Sequence, residues 1–152
     1  MIVRDENQAL AVAVEMEKRA IRTYERALML AENPEVRRGI EDILQDERQH
    51  LCCFAAMQPG SAAAGEEGIL TEAMAAEVLF TGGVAEMNRA KAMTTLKGLY
   101  RFAAESERQA VEKYSAFAEK AERPDVKEAF LTIAAEEKEH LKALEAELKG
   151  ME

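Results

Sequence analysis

A gap-free internal repeat constrains this chain more than any other feature. Glu15–Leu51 aligns with Glu105–Leu141 at a constant offset of 90 positions. Glu17, Tyr24, Glu47 and His50 recur as Glu107, Tyr114, Glu137 and His140. Ala20/Ala110, Pro34/Pro124, Val36/Val126 and Ile43/Ile133 are repeated with them. Each copy has helical periodicity, interrupted once, at Asn33-Pro34-Glu35 and again at Arg123-Pro124-Asp125. A helical hairpin cannot bury its apolar face alone. Two hairpins packed about an approximate two-fold axis solve that problem as an all-α four-helix bundle.

The apolar stripes place the helices. The first is expected over Asp5–Ala31, with Leu10, Val14, Ile21, Tyr24 and Leu28 on one face. The second runs over Pro34–Met57, with Val36, Ile40, Ile43, Phe54 and Met57. The third runs from about Ala90 to Ala121, with Leu96, Leu99, Ala103, Ala110, Tyr114 and Phe117. The fourth runs over Pro124–Leu148, with Val126, Phe130, Ile133, Leu144 and Leu148. Spacings of three and four residues make these core-facing bundle helices. Pro34 and Pro124 suit first helical turns, and Asn33 suits a cap.

One domain over 1–152 is expected, with hairpins 5–57 and 90–148 joined by a connector, 58–89. Gln58–Gly68 has the composition of a loop. Ile69–Phe80 has the pattern of a short helix, with Leu70, Met74, Val78 and Leu79 apolar and Gly82-Gly83 ending it. A connector this long is a crossover along the bundle, which makes the second and third helices parallel.

Six of the stripe positions are not apolar. Glu17 interrupts the first helix, Glu47 and His50 the second, Glu107 the third, Glu137 and His140 the fourth. Burying an unpaired carboxylate is costly, so these residues require cations or hydrogen-bonding partners. Glu47 and His50, three apart, share one helix face. Measured from the turn at Asn33, Glu17 and His50 lie at matching heights on antiparallel helices, and Glu107 and His140 do so around Arg123. Four carboxylates and two imidazoles therefore meet at one level. One Glu from each of two helices and Glu-x-x-His from each of the other two is a dinuclear iron or manganese pattern. Oxygen and imidazole donors suit iron, with manganese as the alternative; zinc fits the same ligands but does no redox work. The outward imidazole nitrogens require acceptors that the sequence does not identify. Tyr24 and Tyr114, seven residues beyond Glu17 and Glu107, are placed to hydrogen-bond a ligand carboxylate across the bundle. The remaining acids, Glu136 and Glu139 among them, are expected on solvated faces, from which those two would help attract cations.

The charge balance excludes some alternatives. Twenty basic residues against 29 acidic give a net charge of −9, with no basic tract for nucleic acid. No apolar run reaches membrane-spanning length and the start does not read as a signal peptide, so a cytoplasmic setting is expected. Cys52 and Cys53 are adjacent on one helix and read as packing residues rather than a disulfide.

The stretches that carry the metal pattern are Glu17–Tyr24 with Asp46–His50, and Glu107–Tyr114 with Glu136–His140. They resemble the ferritin-like superfamily, specifically the diiron domain of rubrerythrin, over nearly the whole chain outside Gln58–Ala90. The resemblance implies a ferritin-like bundle with a left-handed crossover. It implies two iron ions, with Glu17 and Glu107 terminal, Glu47 and Glu137 bridging, and His50 and His140 on one ion each. It places the Tyr24 hydroxyl near Glu107 and that of Tyr114 near Glu17. It implies a peroxidase that reduces hydrogen peroxide or dioxygen as ferrous iron is oxidised. The chain shows no four-cysteine rubredoxin domain, so an external electron donor such as a rubredoxin-like protein is expected. A homodimer is expected by the same analogy. A ferroxidase serving iron storage uses the same ligands; a metal-stabilised interaction protein is the non-catalytic alternative.

Overall fold

A computed structural model describes residues 3–59 and 95–151. Four helices fill them: α1 (Glu6–Leu30), α2 (Pro34–Met57), α3 (Leu96–Lys120) and α4 (Pro124–Gly150). There is no strand among the described residues. The bundle expected from the repeat is the fold observed.

Local chemistry sets the helix ends. The Asp5 side chain accepts from Gln8 N at 2.9 Å and starts α1. Asn33 Oδ1 accepts from Glu35 N and Val36 N at 2.8 and 3.3 Å, while Pro34 occupies the first turn of α2. Such a cap contributes about 1 kcal/mol. The C-terminal carbonyls of α1 are met from the next helix: Arg37 Nη1 donates to Leu28 O and Ala31 O at 2.6 and 2.9 Å. Arg123 has no side-chain cap for α4. Glu6 Oε2 instead holds the turn ahead of α4, accepting from Glu122 N and Arg123 N at 3.0 Å each.

The start of α3 differs from the sequence expectation. The helix was expected from about Ala90, but it begins at Leu96. Thr95 is extended (φ −128°, ψ 153°) and its Oγ1 accepts from Gly98 N at 3.0 Å. A hydroxyl cap competes locally with helix continuation, and apolar periodicity carries no record of it. The short helix expected over Ile69–Phe80 and the handedness of the crossover lie outside the described residues.

Side-chain pairings fix the helix directions. Tyr24 meets Glu107 and Tyr114 meets Glu17, so α1 and α3 are antiparallel. The turn at Asn33 makes α1 and α2 antiparallel, so α2 and α3 run the same way. His50 lies against Glu137 and His140 against Glu47, which makes α2 and α4 antiparallel.

Two apolar clusters flank the level of the six polar residues. One contains Leu10, Val14, Phe54, Tyr114, Phe117 and Phe130. Its rings pack at centroid distances of 5.1 Å (Phe54–Phe130) and 5.2 Å (Phe54–Tyr114). The other contains Tyr24, Ile40, Leu44, Leu99 and Leu144. The repeat pairs Phe54 with Leu144, Phe130 with Ile40 and Phe117 with Ala27. One end of the core therefore gathers the buried phenylalanines, and the other is mainly aliphatic around Tyr24 and Tyr100. Each fully buried Leu, Ile or Phe stabilises the bundle by about 1.5–3 kcal/mol. The two clusters offset the cost of the polar layer that they enclose.

Candidate metal centre

All six polar stripe residues are buried: Glu47 is 0% exposed, Glu17 1%, Glu107 and Glu137 2%, His50 3% and His140 6%. Buried acids of this number are rare without partners. The structure brings them to one level. His50 Nδ1 lies 3.7 Å from Glu17 Oε1, 3.6 Å from Glu47 Oε1 and 2.7 Å from Glu137 Oε1. His140 Nδ1 lies 3.0 Å from Glu47 Oε1 and 3.7 Å from both Glu107 Oε1 and Glu137 Oε1. The rings stack with centroids 6.0 Å apart.

Two overlapping ligand groups result. Glu17, Glu47, His50 and Glu137 form one; Glu47, Glu107, Glu137 and His140 form the other. Within each, one ligand atom per residue lies within 4.8 Å of the rest. Glu47 and Glu137 belong to both, as bridging positions would.

The tyrosines stand where the resemblance put them. Tyr24 Oη donates to Glu107 Oε1 at 2.5 Å, and Tyr114 Oη to Glu17 Oε1 at 2.9 Å. Burial, then the surrounding carboxylates, push both phenols well above their usual range. They stay protonated at neutral pH and can only donate towards these acids.

The outward imidazole nitrogens are held by two residues that the sequence reading did not assign. His50 Nε2 lies 2.5 Å from Glu136 Oε2, and His140 Nε2 lies 2.9 Å from Asp46 Oδ2. Glu136 was expected to face solvent and attract cations. It is half-exposed, but its carboxylate reaches across the bundle to the imidazole of the other hairpin. Asp46 and Glu136 are repeat mates, each one residue before a shared glutamate. That recurrence was the available signal; it was masked by the abundance of acids on these helices. An acceptor at Nε2 fixes a proton there, so that with a cation bound it is Nδ1 that presents its lone pair inward.

The donor set fits a pair of cations. Glu17 Oε2, Glu47 Oε2 and Glu107 Oε2 are buried without a hydrogen-bond partner, and the two Nδ1 atoms meet Glu137 Oε1 and Glu47 Oε1 as close ion pairs without hydrogen-bond alignment. Orphaned buried polar atoms each cost about 1–3 kcal/mol, and more when charged. Four carboxylates at −1 match two divalent ions at +2, so both charge and ligand count balance. Without cations the acids resist ionisation. Burial pushes the Glu17 carboxyl up to about 7, against the neighbouring Glu47 and the Tyr114 hydroxyl, which pull it down. Burial and neighbouring carboxylates hold Glu47 and Glu137 well above the usual carboxylate range. Burial acts on Glu107 in the same direction, but hydrogen bonds with Glu137, His140 and Tyr24 outweigh it and its pKa is lowered. Burial also opposes the charge on His140; Glu107 and Glu47 overcome it and raise the imidazole to about 11.

Replacing Asp46 or Glu136 by alanine is expected to weaken divalent-metal binding by about 10–100-fold while leaving helical content intact. Competitive chelator titration with circular dichroism checks this. Unchanged affinity in both variants would remove the imidazole-orienting role.

No described helix is long and apolar enough to cross a membrane. Comparison with curated proteins gave no match, and comparison with solved structures gave none. The family model described as Rubrerythrin matches residues 2–58 and 99–152, which include every residue of the two ligand groups. With a matched segment over each hairpin and the paired carboxylate–imidazole groups between them, this chain belongs to the rubrerythrin family.

Proposed function

We propose that this protein is a diiron oxidoreductase that reduces hydrogen peroxide or dioxygen as ferrous iron is oxidised. The observation that carries the reading is the pair of buried ligand groups sharing Glu47 and Glu137. Glu17 and His50 would hold one ion, Glu107 and His140 the other, and the two shared glutamates both. Bound ferrous iron would supply the two electrons that, with two protons, turn one hydrogen peroxide into two waters. The chain's own residues provide the setting. The Tyr24 and Tyr114 hydroxyls hold Glu107 and Glu17 in place. Glu136 and Asp46 keep both Nδ1 atoms turned inward. The flanking apolar clusters keep bulk water from the carboxylates, which strengthens every electrostatic contact among them. Repeated turnover calls for an external one-electron donor.

The test is the oxidation of ferrous iron added to metal-free protein, followed by absorbance, with peroxide and with air as separate oxidants. Two irons per chain should be oxidised faster than free ferrous iron, and Glu47→Gln combined with His50→Ala should abolish the acceleration. Equal rates for the double variant and the parent would defeat the proposal.

A further inference from the structure

A small cavity between α1 and α3 reaches the carboxylates of both ligand groups. Glu17, Glu47, Glu107 and Glu137 all line it, together with Tyr24 and Tyr114. Neither imidazole does. Towards solvent the lining continues through Arg19, Ala20 and Thr23 of α1 and Phe102 and Ser106 of α3. Arg19, Ala20, Phe102 and Ser106 are half-buried, so the cavity has a lip that water can touch.

The cavity keeps repeat pairs such as Met16/Ser106 and Ala20/Ala110 and departs from the two-fold symmetry of the bundle at its lip. The repeat mates of Arg19 and Thr23 are Gln109 and Lys113, and the mate of Phe102 is Val12; none of the three lines the cavity. Ser106 has Met16 as its mate. Met16 is buried in the aromatic cluster at 5% exposure. Met16 lines the same cavity from its buried side, so the short Ser106 hydroxyl stands on the half-buried lip opposite the thioether of its mate. The opening faces the aliphatic, Tyr24 end of the site.

We infer that this cavity is the route by which the oxidant reaches the carboxylate side of the centre, and that Ser106 and Ala20 set the size of molecule admitted. The inference rests on the proposed oxidoreductase reading. The free volume is about 20 Å³, room for about one water-sized molecule. Hydrogen peroxide and dioxygen, with two heavy atoms each, pass with small side-chain movements; an alkyl hydroperoxide with a branched carbon group does not. The lining carries four acids against one guanidinium and its surface is mostly apolar, so an uncharged oxidant enters at lower desolvation cost than an anion.

Two measurements test the route. The chain has no Trp and three Tyr, so Tyr100→Phe leaves Tyr24 and Tyr114 as its only strong emitters. In metal-free protein on that background, dissolved dioxygen should quench the cavity tyrosines. Ser106→Met, which copies the residue of the other hairpin, should remove most of the quenching. Ala20→Leu, on the facing lip, should do the same and guards against misfolding of a single variant. In iron-loaded protein with Tyr100 retained, Ser106→Met should slow oxidation by hydrogen peroxide at least about tenfold. Iron content should stay unchanged. Ser106→Gly should improve the rate with tert-butyl hydroperoxide relative to hydrogen peroxide. Parent-like quenching and parent-like oxidation in both lip variants would overturn the route. A parent that loads iron yet oxidises it no faster than buffer would instead defeat the proposed function, and the quenching result would still decide access to the cavity.

Discussion

Glu47→Gln will empty both metal positions, whereas Glu17→Gln will spare one. The asymmetry follows from the membership of the two ligand groups. Glu47 and Glu137 belong to both, while Glu17 and His50 serve one and Glu107 and His140 the other. Glutamine preserves the volume of the side chain but removes its charge. At Glu47 the change withdraws a donor from each group at once and leaves three carboxylates to balance two divalent ions. Affinity at both positions should fall by more than about 100-fold, beyond what loss of an outer partner costs. In Glu17→Gln the group of Glu47, Glu107, Glu137 and His140 remains whole. That variant should keep one tightly held ion, and Tyr114, which loses its carboxylate acceptor, still finds an amide oxygen. Titration with manganese or zinc, checked by metal content after gel filtration, reads the difference directly. Equal losses in the two variants would mean that Glu47 is not shared and that the centre is not dinuclear.

Most of the candidate centre was legible before any coordinates because each candidate ligand interrupts an apolar stripe. A glutamate on a solvated face carries no such signal, and that is why Asp46 and Glu136 were not assigned: both are about half-exposed and sit among many other acids. Their role appears only when the opposite hairpin is in place, since each serves the histidine of the other copy. Leu44 was missed for a related reason. It lies beside Ile43 at the edge of the stripe, and only its place in the cluster with Tyr24, Leu99 and Leu144 decides that Leu44 is the more buried of the two. The start of α3 was misplaced because a threonine cap is a local hydrogen bond and leaves helical periodicity untouched. The directions of the helices, by contrast, followed from two short turns and one long connector, a constraint of chain connectivity rather than of side chains.

The metal-free protein will lose stability as pH rises from about 5 towards 9, and bound divalent metal will reverse the trend. The sign follows from proton linkage. Glu17 titrates at about 7 in the folded chain against 4.5 in the unfolded one. The folded state therefore binds the extra proton, and stability falls across that window as the proton is lost. A shift of that size on a fully buried group is worth about 3 kcal/mol. Glu47 and Glu137, raised well above the carboxylate range, act in the same direction. His140, raised from 6.5 to about 11, contributes stability that is complete below 6.5 and lost as pH rises through 11. Glu107 has the opposite sign, because its pKa is lowered, but its effect lies at and below 4.5. Above pH 5 the shifts therefore add. Cations invert the balance: they need ionised carboxylates and unprotonated Nδ1 atoms, so binding releases protons and strengthens with pH. The melting temperature of chelator-treated protein should fall between pH 5 and 8, and that of manganese-loaded protein should rise over the same range as binding tightens. Far-ultraviolet circular dichroism melts at fixed ionic strength give both curves. A metal-free melting temperature that rises with pH would show that the four buried acids carry their charges without cost, and with it the physical case for a metal pair would fall.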